Sequence, residues 1–527
     1  MLFNSFEFIF LFVPITLLVF SLIVNKASDS RIRAAKVWIV VASLFFYAWW
    51  RPANLYIIGF SLVFNYVTGY LLCQRLSSKF RKRLVLIIGI AVNLALIGYF
   101  KYANFVLENI NAIFVSDVNV GEIALPLAIS FFTFQQIAYL VDAYQGGTKE
   151  FDFLNYSLFV TFFPQLIAGP IVHHRDVLPQ FSDPFTFRLK NANVAIGLTV
   201  FAAGLFKKVI FADTVALFAT PVFDAAAQGI TPSFFEAWVG ALAYTLQLYF
   251  DFSGYSDMAI GIAYLFGIQL PLNFNSPYKA INISDFWRRW HITLSNFLRD
   301  YLYIPLGGSR KGDGRRYLNL MITMLLGGLW HGAGWTYVLW GGLHGFYLVV
   351  NHGWHTFLDR NGYDRKRFNP VGHMFGWLVT FLAVVVSWVL FRATSLQSAL
   401  SILASMVGLN GISLPGSLVS RLDFMTSFGV QFDGLSPILS LPQGRSVAII
   451  AALMFIVCFA PNIQEWMADN SPALNPPKPA KLPYFVKDIW DKLRWRPNLI
   501  WAIFVSVATI VSVVNMTRVS EFLYFEF

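Results

Sequence analysis

The chain has 527 residues, of which 57% are hydrophobic and 13% are charged. Soluble proteins carry about 25% charged residues, and the mean hydropathy here is +0.59, so the composition excludes disordered, collagen-like and nucleic-acid-binding proteins and predicts an integral membrane protein. The net charge of +11, from 39 Lys and Arg against 28 Asp and Glu, is interpreted as the surplus of basic residues that marks cytoplasmic loops in such proteins.

Apolar segments recur along the whole chain, and several are too short to cross a bilayer alone. The first lacks a basic n-region and a small-residue cleavage site, so it is predicted to remain as a transmembrane helix rather than a signal peptide. The predicted segments are 6–24, 37–50, 55–73, 84–100, 123–144, 153–172, 194–211, 235–250, 257–270, 317–329, 335–350, 371–391, 447–459 and 498–514.

Basic loops orient both ends of the chain. The clusters in 26–36, 75–83, 279–316 and 478–496 predict cytoplasmic loops, which places the N- and C-termini on the outer side of the membrane. Residues 173–234 do not fit this alternation, and their topology stays open. Since no internal repeat or long linker divides the chain, we predict one membrane domain, 1–527.

His331 lies in a glycine-rich interruption, GGLWHGAGW at 327–335. The flanking apolar stretches have about 13 and about 16 residues where a complete span needs about 20, so we expect the break to lie within the membrane. Ionisable groups at that depth usually mark a substrate or proton pathway, and histidine is suited to accept a hydroxyl proton near neutral pH. The structural alternative is that His331 only hydrogen-bonds a neighbouring helix.

His291 lies in the basic aromatic segment 284–295, SDFWRRWHITLS. As one helix, this segment would begin at Ser284, pair Asp285 with Arg289 and place Trp287 and His291 on one face. Tryptophan and arginine together are typical of the headgroup level, so an interfacial helix whose arginines contact lipid phosphates is an alternative to a catalytic role. The residues alone leave the role of His291 open.

The segment 249–257, YFDFSGYSD, resembles a broken helix near a cavity. Asp251 and Asp257 are six residues apart and would face different ways on a regular helix, so capping or a salt bridge to the basic segment is expected rather than paired acid and base catalysis. Cys73 and Cys458 are isolated in apolar surroundings, and no metal cluster, GxSxG elbow, Walker A or Rossmann motif is found.

Several ordered motifs together resemble the membrane-bound O-acyltransferase family (MBOAT), in the branch containing the alginate O-acetyltransferase inner-membrane subunit. The resemblance covers about residues 1–392, and 393–527 carry less of it. Its motifs lie at 45–50, 98–104, 125–132, 166–171, 249–261, 273–278, 285–291, 298–304, 306–308 and 328–332.

This resemblance implies an all-α, polytopic ring of about 11–14 transmembrane or half-membrane helices around a central funnel. It implies that acetyl from a cytoplasmic thioester donor, acetyl-CoA, crosses the inner membrane for O-acetylation of an exopolysaccharide, alginate first, with a periplasmic acetyltransferase as partner. No tightly bound cofactor or metal is expected. His331 matches the family's histidine near the funnel floor and His291 its second histidine, which suggests a base and a group that positions the thioester.

Two alternatives stay open. The acceptor is peptidoglycan or another cell-envelope glycan, or the protein is a non-catalytic glycan or lipid transporter, since carriers also contain broken helices. The aromatic C-terminus, 518–527, suggests either a docking tail for a periplasmic partner or an interfacial anchor.

Overall fold

The computed structural model is predominantly helical and divides into two compact units. It describes residues 1–25, 28–121, 123–147, 152–363, 369–414, 419–432, 443–476, 490–516 and 523. Unit 1 comprises Met1–Phe206, Gly254–Asn273 and Pro461–Val519, and unit 2 comprises Lys207–Ser253, Phe274–Ala460 and Ser520–Phe527.

The α-helices are labelled in chain order over the described ranges. They are α1 Val13–Val24, α2 Asp29–Ala48, α3 Asn54–Tyr70, α4 Lys79–Ile97, α5 Ala103–Phe114, α6 Ile129–Tyr144, α7 Phe153–Thr161, α8 Phe163–Leu166, α9 His174–Ser182, α10 Asn191–Phe206, α11 Asp213–Ala227, α12 Phe234–Leu265, α13 Ile283–Trp287, α14 Ile292–Leu298, α15 Gly312–His331, α16 Trp335–Arg360, α17 Pro370–Arg392, α18 Leu396–Met406, α19 Val419–Leu422, α20 Gln443–Phe459, α21 Ile463–Trp466 and α22 Leu499–Asn515.

Short irregular elements complete the described fold. β1 (Ile412–Ser413) pairs in parallel with β2 (Val430–Gln431), with Ile412 opposite Val430 and Ser413 opposite Gln431. Two 3₁₀ turns lie at Pro277–Lys279 and Asp423–Phe428. Five π-helical segments extend or join α-helices, at Phe8–Phe12, Leu71–Arg75, Gly98–Tyr102, Lys207–Ala212 and Arg299–Tyr303.

The helix lengths and composition confirm the predicted all-α membrane class. Within the described residues, four helical stretches are long and apolar enough to cross a membrane: Asn54–Arg75, Lys79–Phe114, Asn191–Ala227 and Pro370–Arg392. Shorter apolar helices lie at Phe8–Val24, Leu396–Met406, Arg445–Phe459 and Leu499–Asn515. The single-domain boundary, the ring and the funnel stay predictions.

Unit 1 contains a buried polar network between its apolar helices. Asn65 of α3 and Asn93 of α4 exchange side-chain amide hydrogen bonds of 3.2 and 2.6 Å. Gln136 of α6 donates to the Ser61 hydroxyl at 2.8 Å and accepts from the Tyr156 hydroxyl at 2.8 Å. Because buried polar groups are costly unless they are hydrogen-bonded, this network fixes how these helices pack.

Unit 2 contains a cluster of indole rings packed against one another. Trp388 of α17 packs with its ring centroid 4.9 Å from Trp290 and 5.7 Å from Trp340 of α16. All three are almost fully buried. Large aromatic side chains of this kind contribute most of the apolar area in a core, so α16, α17 and the loop before α14 form one packed body.

Two sequence-based predictions of local structure are wrong. α12 runs from Phe234 to Leu265 without a break, because Asp251 within it is paired with Lys208 at 2.8 Å and so needs no irregular backbone. Residues 284–295 do not form one helix: they include most of α13, a turn and the first residues of α14. Asn282, not Ser284, caps α13 by accepting from the Asp285 N–H. The predicted pair of Asp285 and Arg289 is confirmed, at 2.9 Å.

Candidate active site

His331 is the last residue of α15, at the predicted interruption. The helix ends where Gly332 turns extended, with φ −157°, and α16 begins after Gly334, with φ −167°. The break in the helix is therefore confirmed, and it is only three residues long. His331 is therefore followed by extended backbone rather than by a further helical turn.

The two helices that flank the break approach each other very closely. A Cβ on Gly328 of α15 would collide with the Tyr337 carbonyl oxygen, and a Cβ on Gly341 of α16 would collide with the Met324 carbonyl oxygen. Only glycine fits at both positions. This contact sets the distance between the two helices and hence the position of His331.

The His331 side chain is enclosed by aromatic rings. It is 3% exposed, and its ring centroid lies 4.9 Å from Trp330, 5.1 Å from Trp340 and 5.2 Å from Phe391. These neighbours are apolar apart from their indole N–H groups, so they exclude bulk water from the imidazole. Electrostatic interactions of a substrate bound there are weakly screened.

His291 occupies the turn between α13 and α14 in a left-handed conformation, with φ +42° and ψ +54°. Its carbonyl accepts the Ser295 N–H at 2.9 Å, which begins α14. The preceding turn is held by the Asn275 N–H, which donates to the Arg289 carbonyl at 2.9 Å. A non-glycine residue in this conformation costs about 1–2 kcal/mol, and such residues cluster at functional sites.

His291 is fully buried among rings of the same unit. Its centroid lies 4.8 Å from Phe252 and 6.4 Å from Phe274. Burial lowers the pKa of His291 to about 3, because charge is disfavoured where water is excluded. The imidazole is therefore neutral near pH 7, with one nitrogen able to donate a hydrogen bond and the other able to accept one.

The structure brings the two predicted site residues together. The ring centroids of His291 and His331 are 6.4 Å apart, with an angle of 61° between the ring planes. This separation is compatible with one small oxygen-containing group hydrogen-bonded by both rings, at about 2.7–3.2 Å from each nitrogen. The pair lies within unit 2, although 40 residues separate the two histidines along the sequence.

Sequence reasoning missed the side chains that surround this pair. Trp340 contacts His331 and also His344, whose centroid is 4.8 Å away. The His344 Nε2 atom lies 3.0 Å from the Ser387 hydroxyl of α17. Trp340 and His344 are four residues apart in α16, so they share one face of the helix that follows the glycine break. This spacing is the signal that could have identified them.

Asp251 belongs to a buried ionic cluster rather than to the basic segment. The Lys208 ammonium lies 2.8 Å from both Asp251 and Asp213. Leu523 N–H also donates to Asp251, at 3.2 Å. Leu523 is the described residue of the predicted C-terminal tail, whose other residues lie outside the described ranges.

Two other histidines make contacts away from this pair. His174 pairs with Asp142 of unit 1 at 3.2 Å. His373 faces the Asn369 carbonyl at the start of α17, at 2.9 Å.

Exposed basic side chains lie both before and after the His291 turn along the chain, in the same unit. Arg299 pairs with Asp300 at 2.7 Å. Four others are exposed and have no carboxylate partner among the described residues: Arg288, Arg310, Lys311 and Arg315. Uncompensated basic groups of this kind attract phosphate.

Comparison with known proteins agrees with the motifs at this site. The sequence model of MBOAT, the membrane-bound O-acyltransferase family, matches residues 148–391, which include both histidines. A peptidoglycan O-acetyltransferase of Helicobacter pylori is 48% identical over 439 residues, covering 79% of this chain and 81% of the relative. A protein named probable alginate O-acetylase AlgI of Pseudomonas putida is 44% identical over 412 residues, covering 77% and 80%. A teichoic acid D-alanyltransferase of Streptococcus thermophilus is 28% identical over 285 residues, covering 50% and 68%.

The chain belongs to the membrane-bound O-acyltransferase family. It is a membrane protein and an acyltransferase, which agrees with its apolar helices and with the resemblance found in the motifs. The catalytic roles of His331 and His291 stay predictions.

Proposed function

We propose that this protein transfers acetyl from acetyl-CoA, at the cytoplasmic face of a bacterial inner membrane, for O-acetylation of a cell-envelope polysaccharide on the outer side. The observation that carries the proposal is the buried pair of His331 and His291, 6.4 Å apart beside a three-residue helix break. Two imidazoles in a water-poor site suit acyl transfer between a thioester and a hydroxyl.

In the proposed reaction, His331 accepts the proton of the acceptor hydroxyl as its oxygen attacks the thioester carbonyl. The C–O bond forms, the C–S bond breaks and the thiolate leaves, and the proton held by His331 is returned to the thiolate. His291, neutral because of its burial, donates a hydrogen bond to the carbonyl oxygen as negative charge develops there.

The proposed donor carries phosphates, and the exposed basic residues from the end of α13 to the first turn of α15 would meet them. Arg288, Arg310, Lys311 and Arg315 supply that positive charge, which also agrees with the predicted cytoplasmic location of this segment. The acetyl group, rather than the whole donor, is proposed to reach the outer side. A periplasmic acetyltransferase is the expected partner that completes transfer to the polymer.

The relatives support two acceptors. Peptidoglycan comes first here, because the relative with that name is 48% identical to this chain. Alginate, the first expectation from the sequence motifs, is the second candidate, since the relative named for it is 44% identical over a similar length. This order reverses the sequence-based preference.

The test uses the native host, where all partners are present. A strain that lacks this protein is complemented with the wild-type chain or with His331→Ala, and acetate ester-linked to peptidoglycan and to secreted polysaccharide is measured separately. We expect the wild type to restore ester-linked acetate in one polymer, and His331→Ala to reduce it about 10²–10⁴-fold, the usual contribution of a general base.

His373→Ala is the matched control, because it removes a histidine of the same unit outside the aromatic site. Equal acetylation by wild type and His331→Ala, at equal amounts in the membrane, would exclude His331 as the base. A transporter is the competing class, and it predicts that His331→Gln keeps a substantial part of the polymer acetylation.

A further inference from the structure

An open groove lies between α3 and α4 in unit 1, far along the chain from both histidines. Its volume is about 660 Å³, within the range of about 300–1,000 Å³ that is usual for small-molecule pockets. Gly59, Val63, Val67 and Leu71 line it from α3 and its π-helical extension, and Val85 and Ile88 line it from α4.

The groove runs along the helices rather than across them. Four of its seven residues on the α3 side, Gly59, Val63, Val67 and Leu71, are spaced by four, so they form one row along a helical face. From Gly59 to Leu71 the row spans 12 residues, or about 18 Å at 1.5 Å per residue. A groove of this length fits an extended hydrocarbon chain.

The lining is apolar and open to the surroundings. Val63 and Val67 of α3 are 53% and 49% exposed, and Ile88 of α4 is 49% exposed. The Thr68 hydroxyl is used within its own helix, where it donates to the Phe64 carbonyl at 2.7 Å. The groove therefore offers apolar surface and no free hydrogen-bonding group from Thr68.

One end of the groove meets positive charge. The row on α3 reaches Arg75 four residues after Leu71, and Arg81 stands four residues before Val85 on α4. Arg75 and Arg81 are exposed, and neither pairs with a carboxylate among the described residues. The two candidate spans, Asn54–Arg75 and Lys79–Phe114, are joined by residues 76–78, so both arginines lie at span ends that flank this connection.

We propose that this groove is a binding site for an anionic phospholipid. One acyl chain lies along the row from Leu71 to Gly59, and the phosphate-bearing headgroup is held by Arg75 and Arg81. Basic residues directly beside membrane helices attract anionic lipid headgroups. A neutral transmembrane helix from another protein would fill the apolar part but leave the two guanidinium groups without an anionic partner.

Gly59 provides the test of the acyl-chain site. A Cβ added there would meet nothing within 4 Å, so Gly59→Leu starts a larger side chain at the groove without forcing the backbone to move. Gly98→Leu is the matched control, because Gly98 also lies in a membrane-length helix with nothing within 4 Å of an added Cβ, but does not line the groove.

Arg75→Gln/Arg81→Gln provides the test of the headgroup site. Arg31→Gln/Arg33→Gln is its control, since both residues are exposed on α2 and belong to another basic loop. Each purified variant is exchanged into detergent with equal phosphatidylglycerol and phosphatidylcholine, and the retained lipid is counted by native mass spectrometry.

We expect the wild type to retain phosphatidylglycerol in preference to phosphatidylcholine by about thirtyfold, the effect of two basic groups at a membrane surface. Arg75→Gln/Arg81→Gln should remove the preference, and Gly59→Leu should remove most retained lipid, whereas both controls behave as wild type. Equal retention by Gly59→Leu and Gly98→Leu would overturn the proposal. So would a wild-type dimer that Gly59→Leu dissociates, because the groove would then hold a second copy of the chain.

Discussion

Gly328 and Gly341 lie directly against each other where α15 and α16 cross. A Cβ on either would come within 3.1 Å of the Cα of the other, besides colliding with a backbone carbonyl of the facing helix. The two glycines occupy the helices on either side of the break that carries His331. Any enlargement of this contact therefore separates the helices and displaces the imidazole.

We predict that Gly328→Ala and Gly341→Ala each destabilise the protein by about 1–3 kcal/mol, the usual cost of overpacking, and reduce acetyl transfer. Gly353→Ala is the control on α16, because a Cβ there meets nothing within 4 Å. Thermal unfolding in detergent, with polymer acetylation in cells, measures both effects. Unchanged unfolding temperatures for the two crossing variants would show that the helices can separate without cost.

The neutral state of His291 predicts a pH effect on stability. In an unfolded chain the imidazole has a pKa near 6.5, whereas burial lowers the pKa of His291 to about 3 in the folded protein. Between these values the unfolded state binds a proton that the folded state does not, so the free energy of unfolding falls as the pH falls. The expected loss between pH 7 and pH 5 is about 2 kcal/mol.

This prediction is measured by comparing unfolding temperatures at pH 7 and pH 5 for wild type and His291→Gln. The variant cannot take up the proton, so its loss on acidification should be smaller by that amount. His373→Gln serves as control for removal of a histidine of the same unit. Identical acid sensitivity of wild type and His291→Gln would contradict a neutral, buried His291.

Lys208 holds two carboxylates in an apolar core, which predicts strong coupling among the three side chains. Lys208 is 3% exposed and Asp251 is 1% exposed. Lys208→Met leaves Asp213 and Asp251 without their cation, and breaking such a buried pair costs about 3–5 kcal/mol. Arg299→Gln, which breaks an exposed pair with Asp300, should cost about 1 kcal/mol or less.

The combination Lys208→Met/Asp213→Asn/Asp251→Asn removes all three charges and should recover most of the lost stability. Unfolding temperatures in detergent for the single and triple variants measure this coupling. A triple variant as unstable as Lys208→Met would indicate that the lysine acts by packing rather than by charge.

The sequence predicted features that depend on local patterns. Length and hydropathy identified most of the apolar helices, and four glycines between two shortened apolar stretches located the break beside His331. The left-handed conformation of His291 was missed. The helical spacing of Asp285 and Arg289 suggests one continuous helix and gives no sign of a turn at His291. That conformation depends on contacts with residues distant in sequence, including Asn275.

Pairings between polar residues that are distant in the chain could not be predicted from the sequence either. The carboxylate of Asp251 suggested a broken helix, whereas its partner Lys208 lies 43 residues earlier in an apolar segment and allows α12 to continue. A lysine inside an otherwise apolar stretch was the available signal, since such a residue needs a buried partner. That this lysine pairs with both Asp213 and Asp251 is visible only in the tertiary structure.

The reciprocal amide pair of Asn65 and Asn93 gives the last prediction. Both residues are fully buried where α3 packs against α4. Each side-chain amide donates a hydrogen bond to the other, so neither amide is left unpaired among apolar groups. Asn93→Leu removes these bonds and leaves Asn65 with the Ser61 carbonyl as acceptor, at 2.8 Å. Hydrogen bonds between membrane helices contribute about 0.6 kcal/mol on average and up to about 1.7 kcal/mol, so we expect a loss in that range. A double-mutant cycle with Asn65→Leu isolates the pair from changes in packing, and a coupling energy near zero would show that packing alone holds α3 against α4.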